Sequence, residues 1–244
     1  MNVTKEVKLV NMASHRKISL TAGLFYLLTM VSIPTLALYG QVKSANYIIG
    51  AGPDTAAMLG GILEVIVALA GIGTAVVLFP VLKKQNEGAA LGLVASRVLE
   101  ASAIFLGVAF LLSIVTLRQA GAGADALVTS NVLVTLYDRI FLLSQSFLPA
   151  VNDLLLGFLL YRSRLVPRAL SLIGIVGAPI LVVSFLAVMF GLIGRDAPLV
   201  ALSALPVFLF ELSLGIWLIV KGFNPSAIAS LSAKSQTGEV LSAA

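Results

Sequence analysis

The sequence predicts an all-α polytopic membrane protein, a bundle of six transmembrane helices, and three observations carry that prediction. Of 244 residues, 59% are hydrophobic and 11% charged, whereas a water-soluble domain carries about a quarter charged residues and under half apolar ones. The apolar residues gather in six runs, each near the ~20 residues that a helix needs to cross the hydrocarbon layer. Those runs hold many small residues and show no alternation of period two, which argues for helices rather than barrel strands. With a mean hydropathy of +1.06, the surplus of apolar side chains must face lipid. A soluble globular domain, a disordered chain and a nucleic-acid binder are excluded.

The elements follow in order. A basic arm, 1–17, precedes the first run, 18–39. That run exceeds the ~7–15 apolar residues of a cleaved signal, and no clean small-x-small site follows it, so it is expected to be retained. The second run, 55–82, follows a polar connection at 40–54. The third, 89–117, leads into the glycine-rich stretch Gly121-Ala122-Gly123-Ala124-Asp125, expected as a loop. The fourth, 133–160, is the hardest to bound, because its pattern extends from Ala126 to Tyr161. An interfacial amphipathic turn holding Asp138 and Arg139 is expected first, then a crossing from about Ile140 with a kink at Pro149. Pro167 opens the fifth run, 169–193, and Gly222-Phe223-Asn224-Pro225 stops the sixth, 199–220. The transmembrane domain so drawn covers 18–223. Beyond it, 224–244 is rich in Ala and Ser and is expected to be a flexible cytoplasmic tail.

The basic residues supply an orientation. Of the 16 Lys and Arg, eleven fall in the N-terminal arm, the turns after the second and fourth runs, and the end of the sixth run with its tail. Only Lys43, Arg118 and Arg195 fall on the other side. Short connections with this bias place both termini in the cytoplasm. The net charge of +5 is thus a topology signal and calls for no nucleic acid.

Ionisable residues inside the runs are where function is sought, since each costs roughly 2.5–3.5 kcal/mol at mid-membrane on insertion scales. They are Glu64 in the second run, Arg97 and Glu100 in the third, Asp153 in the fourth and Glu211 in the sixth. Arg97 and Glu100 are three apart and share a helix face. Small residues flank them: Gly60, Glu64, Ala68, Gly71 and Ala75 make one stripe, and Gly92, Ser96, Glu100, Ala103 and Gly107 another. In the fourth run Gln145, Pro149, Asn152, Asp153 and Gly157 form a comparable face. The five charged residues are expected to converge in one polar column, with Arg97 in reach of at least one acid. Four carboxyls against one guanidinium leave a large negative excess in low dielectric, so protons or a cation must join them.

Other chemistry is scarce. The chain has no Cys and one histidine, His15, ahead of the first run; thiolate sites, His-ligated metals and Ser–His hydrolases cannot be assembled from it. There is no G-x-S-x-G, H-E-x-x-H or P-loop. No lysine lies within a run to carry a Schiff base. No cofactor and no metal are expected, and the chain leans away from being an enzyme.

Several stretches resemble a bacterial membrane-protein family known as domain of unknown function 4386. They are Ala22-Gly23-Leu24-Phe25-Tyr26-Leu27-Leu28-Thr29, Leu78-Phe79-Pro80-Val81-Leu82-Lys83-Lys84 and Arg97-Val98-Leu99-Glu100-Ala101. The most specific are Leu160 to Arg168 (LYRSRLVPR) and Trp217 to Pro225 (WLIVKGFNP). The resemblance spans roughly residues 16 to 228. It implies a single-domain, multi-pass inner-membrane protein and carries no activity. Glu64, Arg97, Glu100 and Glu211 fall in or near its recurring pieces; Asp153 has no match there.

Three function classes stay open. Proton- or cation-linked transport of a small solute accounts best for acids at mid-membrane. Six helices without an internal repeat make a small transporter, which puts a homodimer among the expected partners beside the lipid bilayer and a small solute or proton. A non-catalytic membrane subunit or sensor would show every buried acid paired and no cavity beside it. An acid-based lipid-modifying enzyme would show a pocket open sideways to lipid.

Overall fold

The computed structural model describes residues 3–242, which are helical with no strand among them. The long elements are α1 (Val3–Thr29), α3 (Thr55–Leu82), α4 (Glu87–Gln119), α7 (Arg168–Met189), α8 (Pro198–Val220) and α9 (Pro225–Ser242); between them lie α2 (Thr35–Leu38), α5 (Leu127–Leu142) and α6 (Leu148–Ser163). Five stretches are long and apolar enough to cross a membrane: α3, α4, the continuous helical run Gly123–Ser163, α7 and α8. The second expected run matches α3 end to end, and α8 starts one residue before the sixth.

The expected first crossing, 18–39, is not one helix. It breaks after Thr29 into a 3₁₀ turn, Met30–Ser32, before the short α2. Pro34 is the cause: it has no N–H to offer the Met30 carbonyl, and its ring crowds that position. The Met30 carbonyl accepts from the Ile33 N–H at 3.2 Å instead. Thr29 and Thr35 hydroxyls donate to the carbonyls of Tyr26 and Ser32 and hold the break on both sides.

The fourth crossing also differs from expectation. No break separates a turn from the crossing; residues 123–163 run on as one helical rod, with Asp138 at the end of the bundle where Lys43 and Arg195 pair with it. At 1.5 Å per residue this rod is about 60 Å long, twice a hydrocarbon core. Its first part packs on the C-terminal part of α4 through Leu111, Ile114, Val115, Ala126 and Tyr137. The kink expected at Pro149 takes the form of a π-turn, Leu143–Phe147, which absorbs the hydrogen bond that Pro149 cannot make to Gln145.

α1, α3, α4, α6, α7 and α8 pack each on the next, and α8 closes the ring on α1. Glycines set the closest approaches: a Cβ on Gly23 would lie 2.7 Å from the Gly215 carbonyl, which is how small residues let two membrane helices touch. Outward faces are apolar, with Leu69, Leu99 and Val183 more than half exposed, the inverse of a water-soluble protein. Inside the ring, one end is plugged by Tyr26, Leu78, Leu82, Leu93, Leu156, Leu159, Phe210, Leu214 and Leu218.

The two ends of the bundle differ in charge handling. At the plugged end Arg16 donates to the carbonyls of Leu218 and Ile219 at 3.2 and 2.5 Å, satisfying the last turn of α8. Within the expected 224–244 tail, Pro225–Ser242 form α9, which buries Ala227 and Leu231 against the plug, one helical turn apart. At the opposite end three basic residues are paired with acids, while Arg139, next to Asp138, is exposed and has no ion pair among the described residues. Lys43 and Arg195 both pair with Asp138, and Arg118 pairs with Asp54 at 2.7 Å. Asp54 also accepts from Tyr47 and, at 2.9 Å, from Gln119. Those bonds, the tyrosine's first, hold its carboxyl below the ordinary Asp range.

Candidate functional site

α4 carries Arg97 and Glu100 on its inward face, one turn apart, so the two meet at 3.0 Å. The other amino group of Arg97 reaches across the ring to Glu211 on α8 at 2.6 Å. Asn152 on α6 donates to Glu100 at 2.8 Å. The face of Tyr26 on α1 lies 5.8 Å from the Arg97 guanidinium carbon. Four helices therefore meet at one guanidinium, which is nearly fully buried. Gly71 on α3 borders the seat; a Cβ there would sit in ordinary contact with the Arg97 stem, at 3.9 Å.

Asp153 joins this group without a bond. It is completely buried, both carboxyl oxygens lack a hydrogen-bond partner among the described residues, and it interacts electrostatically with Glu211, Arg97 and Glu100. Asn152 Oδ1, Arg97 Nε and the Tyr26 hydroxyl are buried and unpartnered as well. An ionised carboxylate in that position is among the dearest states a protein can hold. A proton, a cation or water has to meet it.

A cavity of about 430 Å³ lies directly over the charged group. Toward the unplugged end it is lined by Ser32 and Ile33 of the α1 break and by Arg195 and Asp196 ahead of α8. Its floor is Arg97, Glu100 and Glu211, and its walls are mostly apolar, among them Ile104, Phe141, Leu181 and Phe208. Gln145, Ser146 and Pro149 from the π-turn region also face it. The two departures from regular helix, at Pro34 and at Pro149, thus both border the cavity.

Glu64 stands apart from this assembly. It is not in the cavity wall; its two carboxyl oxygens accept from the hydroxyls of Tyr39 and Tyr137, each at 3.3 Å. Those rings meet edge to face at 5.5 Å. Tyr39 lies against Gly60, where a Cβ would come within 2.6 Å of its ring. The five expected residues therefore form two groups and not one column: Arg97, Glu100, Asp153 and Glu211 together, Glu64 with its tyrosines elsewhere. The expectation that Arg97 meets an acid is borne out twice over. Sequence reasoning missed Tyr26, Tyr39 and Tyr137, whose apolar surroundings make them look like ordinary core. Gly60, one turn before Glu64 on the small-residue stripe, was the available signal. Among the described residues no group of three or more His, Cys, Asp or Glu is arranged to hold a metal ion.

Comparison with curated proteins and with solved structures returned no match. A family model described as Domain of unknown function (DUF4386) matches residues 21–222, from the start of the apolar part of α1 to the glycine that ends α8. With the whole ring of helices and both polar groups inside that match, the chain belongs to the DUF4386 family.

Proposed function

We propose that this chain is a transporter that admits a small amphiphilic cation or a proton-coupled solute into the cavity above Arg97, with Glu211 and Glu100 as the groups that meet it. The observation that carries the proposal is the cavity itself, about 430 Å³ and floored by two acids that share one guanidinium. Three carboxyls with one guanidinium hold a formal charge of minus two when all are ionised. An apolar chamber over such a floor suits a ligand with an apolar body and a positive end. Asp153, behind the floor and without a bond, is the natural acceptor of a coupling proton. In the full proposal α1 crosses the membrane despite its break, giving six crossings, with both termini on the cytoplasmic side of a bacterial inner membrane and the cavity mouth outward.

The subunit-or-sensor alternative draws on Glu64, whose two oxygens are both satisfied, as a purely structural acid would be. The two differ in the behaviour of reconstituted vesicles. Internal pH is followed under an imposed gradient, with a panel of cations and small amphiphiles, for wild type, Glu211→Gln and Glu64→Gln. The transport proposal requires solute-dependent flux that Glu211→Gln abolishes. Vesicles as tight as empty ones across the panel would reject it.

A further inference from the structure

We propose a second binding site, independent of the transport proposal, in which Arg164, Arg168 and Lys221 take the phosphate group of an anionic amphiphile. They border a cavity of about 620 Å³ between the α6–α7 turn and the α8–α9 turn, at the plugged end of the bundle. None of the three has an ion-pair partner among the described residues. At the opposite end Lys43 and Arg195 share Asp138 and Arg118 pairs with Asp54, leaving Arg139 alone there, whereas here three unpaired cations border one cavity. A general excess of basic residues on the cytoplasmic side explains why they are at this end. It does not explain why they converge, since Lys83, Lys84 and Arg162 share the end and stay outside the cavity.

The two turns are tied to each other through the backbone, and one of the three cations is stacked on a ring. Arg164 ends α6 in the left-handed conformation, at φ 57°, with its N–H on the Leu160 carbonyl at 3.0 Å. Asn224 donates its N–H to the Leu165 carbonyl at 2.9 Å, tying one turn to the other. The Arg168 guanidinium stacks on Tyr161 at 4.7 Å. Beside these cations the cavity has apolar walls: Leu165, Val166, Phe223 and Trp217, the single Trp of the chain. Arginine forks fit phosphate oxygens in pairs, and a basic notch at a membrane surface meets anionic headgroups there. The apolar walls suit the rest of an amphiphile, which a free phosphate ion lacks.

The test is native mass spectrometry of the full-length protein released from micelles containing phosphatidylglycerol or phosphatidylcholine. Retention of phosphatidylglycerol over phosphatidylcholine is expected. The double substitution Arg168→Gln with Lys221→Gln should weaken retention about 30-fold, from two basic groups at a membrane surface. Lys83→Gln with Lys84→Gln, at the same end but outside the cavity, should leave it unchanged. Displacement of the lipid by millimolar inorganic phosphate would uphold phosphate recognition and make the soluble ion a source. Equal retention of the two lipids, or equal losses in the two double variants, would overturn the site.

Discussion

Two buried acidic groups, built from the same residue types, have opposite surroundings. Glu64 is closed in by two tyrosine hydroxyls and does not line the cavity, although Ala68, one turn further on, does. Glu100 and Glu211 compete for one arginine beneath open space, with Asp153 unsatisfied behind them. Neutral donors meet the first acid's hydrogen-bonding needs within the protein, whereas the second group keeps an electrostatic demand that only something mobile can meet. A buried carboxyl in a membrane bundle is therefore not by itself a sign of a site; what matters is whether its partners are complete and whether a path reaches it.

The largest expected effect falls on Arg97. Arg97→Met should cost about 3–5 kcal/mol, because it strands the acids it serves, read as a fall in the unfolding midpoint of the purified protein. A loss comparable to that of Glu64→Gln would erase the contrast between the two groups. Next comes Gly60→Ala. Its Cβ would meet the Tyr39 ring at 2.6 Å, so a loss of about 1–3 kcal/mol by overpacking is expected, with the Tyr39–Glu64 bond broken. Combining it with Tyr39→Phe should then add little, since both remove the same contact; full additivity would contradict the assignment.

The smallest effect is on pH dependence at the unplugged end. Asp54 has a carboxyl pKa below its unfolded value, so the unfolded chain binds the proton more tightly. Its contribution is therefore present above the ordinary Asp range and fades as pH falls through the lowered value. Unfolding followed from pH 6 downward should show wild type losing an advantage that Asp54→Asn never has. Parallel curves would remove Asp54 from the account.

Much of this arrangement was legible in the sequence because hydrocarbon imposes simple rules. Apolar length gave α3 and α8 nearly to the residue, α4 within two residues at each end and α7 within four, and the rarity of charges in these helices singled out Arg97, Glu100 and Glu211. Pro34 was visible too, yet run length outweighed it, and the first crossing was drawn through a break. The helix over Pro225–Ser242 was not visible for a related reason: Ala227 and Leu231 bury little area each, so their stripe is faint until the plug beside them is seen. The separation of Glu64 from the other acids was not legible at all. It depends on which way α3 faces in the ring, and that is set by tyrosines distant in sequence.

The central claim is that a path from the unplugged end reaches the Arg97 group and stops there. The natural absence of Cys makes single-cysteine labelling its most direct test. Ala204→Cys and Ala101→Cys lie on the cavity wall, Ala75→Cys lies in the plug, and Ala57→Cys lies in the packed cluster that holds Tyr39 and Tyr137. A small, charged, membrane-impermeant thiol reagent added from outside sealed vesicles or cells should modify the first two rapidly and spare Ala75→Cys and Ala57→Cys, with a soluble amphiphilic cation slowing the reaction at Ala204→Cys. Labelling of Ala75→Cys or Ala57→Cys as fast as Ala204→Cys, or protection of Ala101→Cys and Ala204→Cys alike from the reagent, would contradict the account.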